Sequence, residues 1–430
     1  MTSVATLIEE TAHRDAGRML ASLIGSVRDF ALAEDALQDA MVEALEHWPE
    51  TGVPANPSGW LMTVARRRAI DRLRRNATLT RKQAELQTLA DIERQVADMP
   101  GDATDDEIPD DRLRLFFTCC HPALALESRI ALTLRTLAGL TTAEIASAFL
   151  IPLPAMAQRL VRAQRKIRDA RIPYEVPPES AIGERLDGVL TVLYLVFNEG
   201  YVASSGAALV RHDLCQEAVR LTTILVELIE SNAALDSSAE ALGLLALMHL
   251  HIARYQARLD ASGQLVLLDA QDRLLWDQAE IDMGIALLDR AMALRAPGPY
   301  QLQAAIAALH AQSQRPEDTD WQQISLLYRR LATMEPSPVV ELNYAVAVAM
   351  ANGAEEGLAL MDQLRLELSL KSYHHYHSAR GELLRRAGRD VEAKACYECA
   401  LSLCQNDIER RYIQVRLAEV SAHEKTPTVT

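Results

Sequence analysis

Apolar positions recur at three- and four-residue spacing through most of this 430-residue chain, the pattern of helices that bury one face. In AEDALQDAMVEALEHW (33–48) the stripe is Ala33, Ala36, Leu37, Ala40, Met41, Ala44 and Leu45. PETGVPANPSG (49–59) then sets three prolines and two glycines in a row of eleven, which predicts a loop. Ser58 is placed to cap the helix that follows, GWLMTVARRRAIDRLRRN. A second helical block covers 112–171 and stops at RIPYEVPPES (171–180), where three prolines mark a boundary. From 180 onward the pattern is again helical with few loops. The most apolar window, ALGLLALMHLHIARY (241–255), is too short for a membrane span and carries two histidines and an arginine, so it reads as a core helix. YLVFNEGY (194–201) reads as an apolar helix ending in a cap at Asn198, Glu199 and Gly200.

A repeat emerges near the end of the chain. Tyr328, Leu331 and Pro336 fit the second helix and closing proline of a tetratricopeptide unit, and Leu342, Ala345 and Gly353 fit the first helix and turn of the next. Gly388 repeats Gly353 thirty-five residues later, with Arg380 and Gly381 before it and Ala393, Tyr397 and Ala400 after it. Small residues at these places let paired helices cross closely, which predicts a helical solenoid.

Composition supports an all-α fold: 49% hydrophobic residues but only 5% aromatic, rich in Ala and Leu. The length predicts two to four domains. A net charge of −15 argues against a protein that coats nucleic acid indiscriminately, so any such contact must come from local basic patches. Six cysteines (Cys119, Cys120, Cys215, Cys396, Cys399, Cys404) form no disulfide framework for this length. The start, MTSVATLIEETAHRD, shows no secretory signal, and the expected location is cytoplasmic.

Two such basic patches exist. ARRRAIDRLRRN (65–76) holds six arginines and one acid, with Arg68, Arg72 and Arg75 on one helical face and Ile70 and Leu73 opposite. Guanidinium groups stay charged and present a flat fork of donors suited to phosphate. In LAGLTTAEIASAFLIPLPAMAQRLVRAQRKIRDAR (137–171), Thr141 or Thr142 caps a short helix through Ala148, and a second helix begins near Pro154. That is a helix-turn-helix pattern, with Gln158, Arg159, Arg162, Arg165 and Lys166 outward and Met156, Leu160, Ala163 and Ile167 inward. Between the patches, DMPGDATDDEIPDD (98–111) has seven acids and no base, which predicts a mobile linker.

The first 175 residues resemble the sigma-70 family, specifically the extracytoplasmic-function (ECF) sigma factors. AEDALQDA resembles their polymerase-docking helix, GWLMTVARRRAIDRLRR their promoter-melting and −10-reading helix, and LTTAEIASAFLIPLPAMAQRLVRAQRKI their −35-reading helix-turn-helix. PDDRLRLFFTCCHPAL (109–124) and the helical tail resemble the subgroup with a long tetratricopeptide-like extension. The chain departs from the family at Leu150, where a glycine is usual, and at Pro154-Ala155, where Gly-Thr is usual. The resemblance implies two small helical sigma domains and a larger helical extension: region 2 over 1–80, an acidic linker 81–111, region 4 over 112–172, a proline-rich joint 173–179, an extension 180–295 and repeats 296–430.

It also implies roles. Glu34, Asp35, Gln38 and Asp39 would meet core RNA polymerase through its β′ and β subunits. Trp60, Arg66, Arg67, Arg68, Arg72, Arg74 and Arg75 would face the −10 region, Trp60 being equally suited to stacking on bases or to the core. Thr141, Thr142, Gln158, Arg159, Arg162, Arg165 and Lys166 would face the −35 region. Partners would be core polymerase, promoter DNA, and a protein or peptide held by the repeats, with no membrane, cofactor, metal or catalytic residue. The competing reading is a helix-turn-helix regulator outside the polymerase, with the repeats as sensor; a tetratricopeptide scaffold with incidental basic helices is the third.

Three other clusters carry less. Cys119-Cys120-His121 sit too close together on a helix to converge on one ion. Cys396, Cys399 and Cys404 fall where a repeat helix packs. His374, His375 and His377 have no acid near them in sequence, so a surface or core role is expected.

Overall fold

The structure is a computed structural model that describes residues 4–80, 111–149, 151–201, 212–231 and 238–424. The all-α expectation holds: among the described residues the only β feature is an isolated bridge between Leu259 and Leu265. The chain divides into two compact units, 1–195 with 231–235, and 196–230 with 236–430.

The first unit opens with a bundle of α1 (Val4–Val27), α2 (Phe30–Thr51) and α3 (Pro57–Thr80). Asp29 caps α2 by accepting from Leu32 N at 3.0 Å. The predicted stripe is buried at Ala33, Ala36, Leu37, Ala40 and Ala44, whereas Leu45 remains exposed. α2 runs through Pro49 and stops at Gly52, whose φ of 85° only glycine adopts freely. The loop is therefore shorter than the prolines suggested. Ser58 is not the cap of α3: Asn56 Oδ1 accepts from Gly59 N at 2.9 Å, and Ser58 Oγ instead donates to Asp15 at 2.6 Å, tying α3 to α1.

The second bundle contains α4 (Arg112–Cys119), α5 (Leu126–Thr136), α6 (Thr142–Ala148) and α7 (Leu153–Asp169). Thr141 is the cap of α6: its hydroxyl accepts from Glu144 N at 3.2 Å, and Glu144 accepts from Thr141 N at 2.7 Å. Pro152 precedes α7 and Pro154 sits in its first turn, where a missing N–H costs nothing. Met156, Leu160, Ala163 and Ile167 are all buried, as their spacing predicts. Leu150 lies outside the described residues, as does the acidic run except Asp111.

Within this unit the two bundles meet, because α1 packs on α4 and α5. Gly17, Ala21 and Gly25 recur every four residues, so one side of α1 lacks bulk and another backbone can approach. A Cβ on Gly17 would lie 2.6 Å from Leu137 O, and one on Gly25 2.9 Å from Asp111 Oδ2. Tyr174 Oη donates to Ala21 O at 2.6 Å, and Arg28 donates to Tyr174 O at 3.2 Å while its guanidinium stands 5.6 Å over the same ring. α8 (Glu179–Tyr201) begins in this unit, where Arg185 donates to Phe117 O at 2.5 Å.

The second unit contains the end of α8, then α9 (His212–Glu230), α10 (Ala239–Ile252), α11 (Gln278–Ala293), α12 (Pro299–Gln312) and α13 (Trp321–Met334). α10 is buried almost all round, as the apolar window predicts. α8 runs through Asn198–Gly200 to Tyr201, and Gly200 lets α9 come close: a Cβ there would lie 2.8 Å from the Cys215 backbone N. Beyond come α14 (Pro338–Asn352), α15 (Ala354–Gln363), α16 (Leu366–Leu370), α17 (His374–Arg386), α18 (Asp390–Leu403) and α19 (Asp407–Glu424). α14–α15 and α17–α18 are helical hairpins that turn at Gly353 and Gly388, with φ of 115° and 73°. Ala345, Ala393, Tyr397 and Ala400 lie in one core, and Gly381 lets α17 rest on the Tyr397 ring, 3.2 Å from where its Cβ would be.

Candidate nucleic-acid interface

α3 carries its arginines in three different environments. Arg67, Arg68 and Arg74 are exposed. Arg68 pairs with Glu43 at 2.7 Å, and Arg72 bridges Asp35 at 2.6 Å and Asp39 at 2.7 Å. Arg66 is different: at 5% exposure it turns into the bundle and donates to Ser22 Oγ at 3.3 Å, while burial lowers its pKa. It is therefore removed from the expected DNA-facing set. Met62, Arg66 and Ile70 lie four apart on one face, and the two apolar residues carry the arginine inward with them. The Arg75 side chain lies outside the described residues. Trp60 is half-buried, its ring edge-on to Trp48 with centroids 5.4 Å apart.

On α2, Asp35 and Gln38 are exposed and Asp39 is partly so, forming the patch the sequence suggested. Glu34 is not part of it. Its side chain, 18% exposed, faces Arg135 of α5 at 3.4 Å. Burial raises its pKa against the opposing pull of Arg135.

α7 is simpler. Gln158, Arg162, Arg165 and Lys166 are exposed and Arg159 is partly so, over a buried apolar face. Arg162 donates to Gln158 Oε1 at 3.4 Å, and among the described residues no carboxylate forms an ion pair with these four cations. Thr141 is exposed but occupied by the cap, and Thr142 is half-buried behind it. A row of unpaired cations on a rigid helix suits phosphates and base edges.

Other clusters resolve differently. Cys119 Sγ lies 3.2 Å from Thr136 Oγ1 and Cys120 Sγ 3.5 Å from Thr133 Oγ1. Burial pushes both thiols up, Cys120 to about 11, so both are inert packing groups. The histidines of α17 do have an acid. His374 Nε2 lies 3.1 Å from Glu409 Oε2, His375 is 3.9 Å from the same carboxylate, and Cys404 completes a set whose ligand atoms lie within 4.8 Å of one another. Sequence distance hid this, because Glu409 follows His374 by thirty-five residues, the hairpin spacing. His374, Cys404 and Glu409 are the described residues whose donor types suit a divalent cation.

Comparison with known proteins follows these divisions. Residues 12–78 match the family described as sigma-70 region 2, residues 117–167 match sigma-70, region 4, and residues 185–292 match a family of unknown function (DUF6596). The uncharacterized protein R00370 of Rhizobium meliloti (strain 1021) is 44% identical over 409 residues, covering 95% of this chain and 94% of that protein. No solved structure matches. Among the described residues, no helix is long and apolar enough to cross a membrane.

Proposed function

We propose that this chain is a sigma-70 family protein acting as a promoter-selecting subunit of RNA polymerase of the ECF type, a reading supported by the matches of residues 12–78 and 117–167 to sigma-70 regions 2 and 4. Such a subunit supplies sequence choice and strand opening while the polymerase makes the RNA, in the cytoplasm. The observation that carries the reading is α7, with exposed Arg162, Arg165 and Lys166 above buried Met156, Leu160, Ala163 and Ile167 in a capped helix-turn-helix. In this reading α7 takes the −35 element. Arg67, Arg68, Arg72, Arg74 and Arg75 with Trp60 take the −10 region, and Asp35, Gln38 and Asp39 meet the polymerase β′ subunit. Acids at an interface rim set orientation and on-rate more than raw affinity.

The test is reconstitution. Purified chain with core polymerase should start transcripts on a cognate promoter with no other sigma factor present. Transcripts that appear only when a second sigma factor is added would instead mark a DNA-binding regulator outside the polymerase.

We further propose that the helical extension, whose hairpins turn at Gly353 and Gly388, is tetratricopeptide-like and regulates transcription. A chain cut after Pro178 loses α8, whose Arg185 seats on the Phe117 carbonyl. The fragment should fold, by circular dichroism, and be inactive in run-off transcription. Full activity would show that the extension regulates nothing in that assay.

A further inference from the structure

In the second unit, three arginines surround two aromatic rings with no acid among them. Arg258, only 8% exposed, lies 4.0 Å over the Tyr201 ring and donates to the Tyr201 carbonyl. Arg254 donates to Tyr201 Oη at 3.0 Å and stands 6.0 Å from that ring and 5.7 Å from the ring of Trp276. Arg273 lies 4.0 Å over the other ring, Trp276, and donates to His310 O at 2.8 Å. His251 meets the Tyr201 ring edge-on at 4.9 Å.

This cluster is electrically incomplete. Five of its buried nitrogens make no hydrogen bond among the described residues: Arg254 Nε, Arg273 Nε, Trp276 Nε1, His251 Nδ1 and His310 Nδ1. Among the described residues no carboxylate forms an ion pair with these arginines; Glu409 acts on Arg258 and Asp269 on Arg273 from a distance, and both are engaged elsewhere, with His374 and Arg386 respectively. Burial, reinforced by these arginines, holds His310 down to about 3 and His251 well below its usual value, so both rings are neutral. Buried charge without a partner is costly, and unmade hydrogen bonds add to that cost.

A neighbouring cleft of about 420 Å³ shows the contrast. There Arg220 is paired with Glu217 at 2.5 Å, and His249 lies 2.6 Å from Glu280. Its wall includes Ala253, Tyr255, Leu275 and Asp277, sequence neighbours of Arg254 and Trp276, but none of the cluster's own arginines or rings.

We propose that Arg254, Arg258 and Arg273 form a binding site for a small organic anion, whose phosphate or carboxylate group takes the unused donors while its body lies beside Tyr201 and Trp276. Guanidinium forks match either oxyanion in paired hydrogen bonds. Apart from His310, these residues lie within the stretch that matches a family of unknown function, and the site gives that stretch a ligand. The proposal is independent of the polymerase reading, because binding is measured without DNA or polymerase.

The experiment is calorimetric titration of the full chain with inorganic phosphate and, separately, with malonate, against sodium chloride at equal ionic strength. Saturable one-site binding of either probe is expected, and the tighter probe identifies the oxyanion. Arg273→Gln should weaken it by about tenfold or more. Arg254→Lys, which keeps charge and bulk but loses the fork, should weaken it less, and circular dichroism checks both folds. Heats equal to the chloride control for both probes would overturn the site, as would binding that survives unchanged in both variants.

Discussion

The two basic helices of the first unit are built in opposite ways. α3 carries more arginines than α7, yet Arg66 is buried, Arg68 is held by Glu43, and Arg72 is held by Asp35 and Asp39. On α7, Arg162, Arg165 and Lys166 form no ion pair among the described residues. Charge count therefore says little about readiness to bind DNA. The acids assigned to polymerase are the same ones that occupy Arg72. Each exposed pair is worth about 0–1 kcal/mol, so a polymerase surface that takes the acids would free that arginine at little cost. α7 needs no such release.

The largest effect is expected where this coupling is broken outright. Asp35→Arg with Asp39→Arg should abolish co-purification with core polymerase while circular dichroism stays unchanged, because these exposed pairs add little to stability. Normal co-purification would remove the docking role from this patch. Next, Arg159→Ala with Arg162→Ala should cost about 1–3 kcal/mol per lost base contact, concentrated on particular base pairs of the −35 element. Arg72→Ala should weaken binding near −10 more evenly across promoters. The same loss profile from both would erase the difference between the helices.

A milder change sharpens the comparison from the other side. Asp35→Asn with Asp39→Asn releases Arg72 while keeping side-chain shape. DNA affinity of the isolated chain should rise a few-fold, and the dependence of log affinity on log salt should steepen by about one. Unaltered slope would mean the pairs do not restrain Arg72.

The smallest effect concerns Glu34, whose pKa is raised by burial. A carboxyl with a raised folded pKa costs stability while it is charged, so that cost is relieved as pH falls through the folded value. Glu34→Gln should therefore raise Tm by a few degrees at neutral pH, a change of up to about 1 kcal/mol. The gap between variant and parent should close on acidification. A constant gap across that range would show that Glu34 acts through something other than its charge.

What the sequence revealed was local. The inward face of α7, the turn glycines and a threonine cap at Thr141 or Thr142 depend on neighbours within one or two turns, so their spacing was enough. Arg66 is not distinguished by local spacing, because six arginines in a row of twelve look alike until the Met62–Ile70 stripe is drawn through them. The Gly17–Ala21–Gly25 spacing is visible in the sequence, but nothing local says that Leu137 and Tyr174 will cover it. Glu409 beside His374, and Tyr201 beside Arg254 and Arg258, likewise join residues from separate helices and loops. Those pairings arise from packing, and periodicity carries no record of them.

The hydrogen bond from Tyr174 to the Ala21 carbonyl spans 153 positions, and this sets a schedule for synthesis. A ribosome adding about 5–20 residues per second delivers Tyr174 roughly eight to thirty seconds after Ala21. During that interval the nascent α1, α2 and α3 can assemble, but the cover of the glycine-lined side of α1 stays incomplete until Tyr174 arrives. The emerging chain thus carries its first basic helix, already clamped by Asp35 and Asp39, well before the second can be set against it. Cotranslational folding of this protein should pause at that half-built stage, and a chaperone that shields bare helix backbone would find its substrate there.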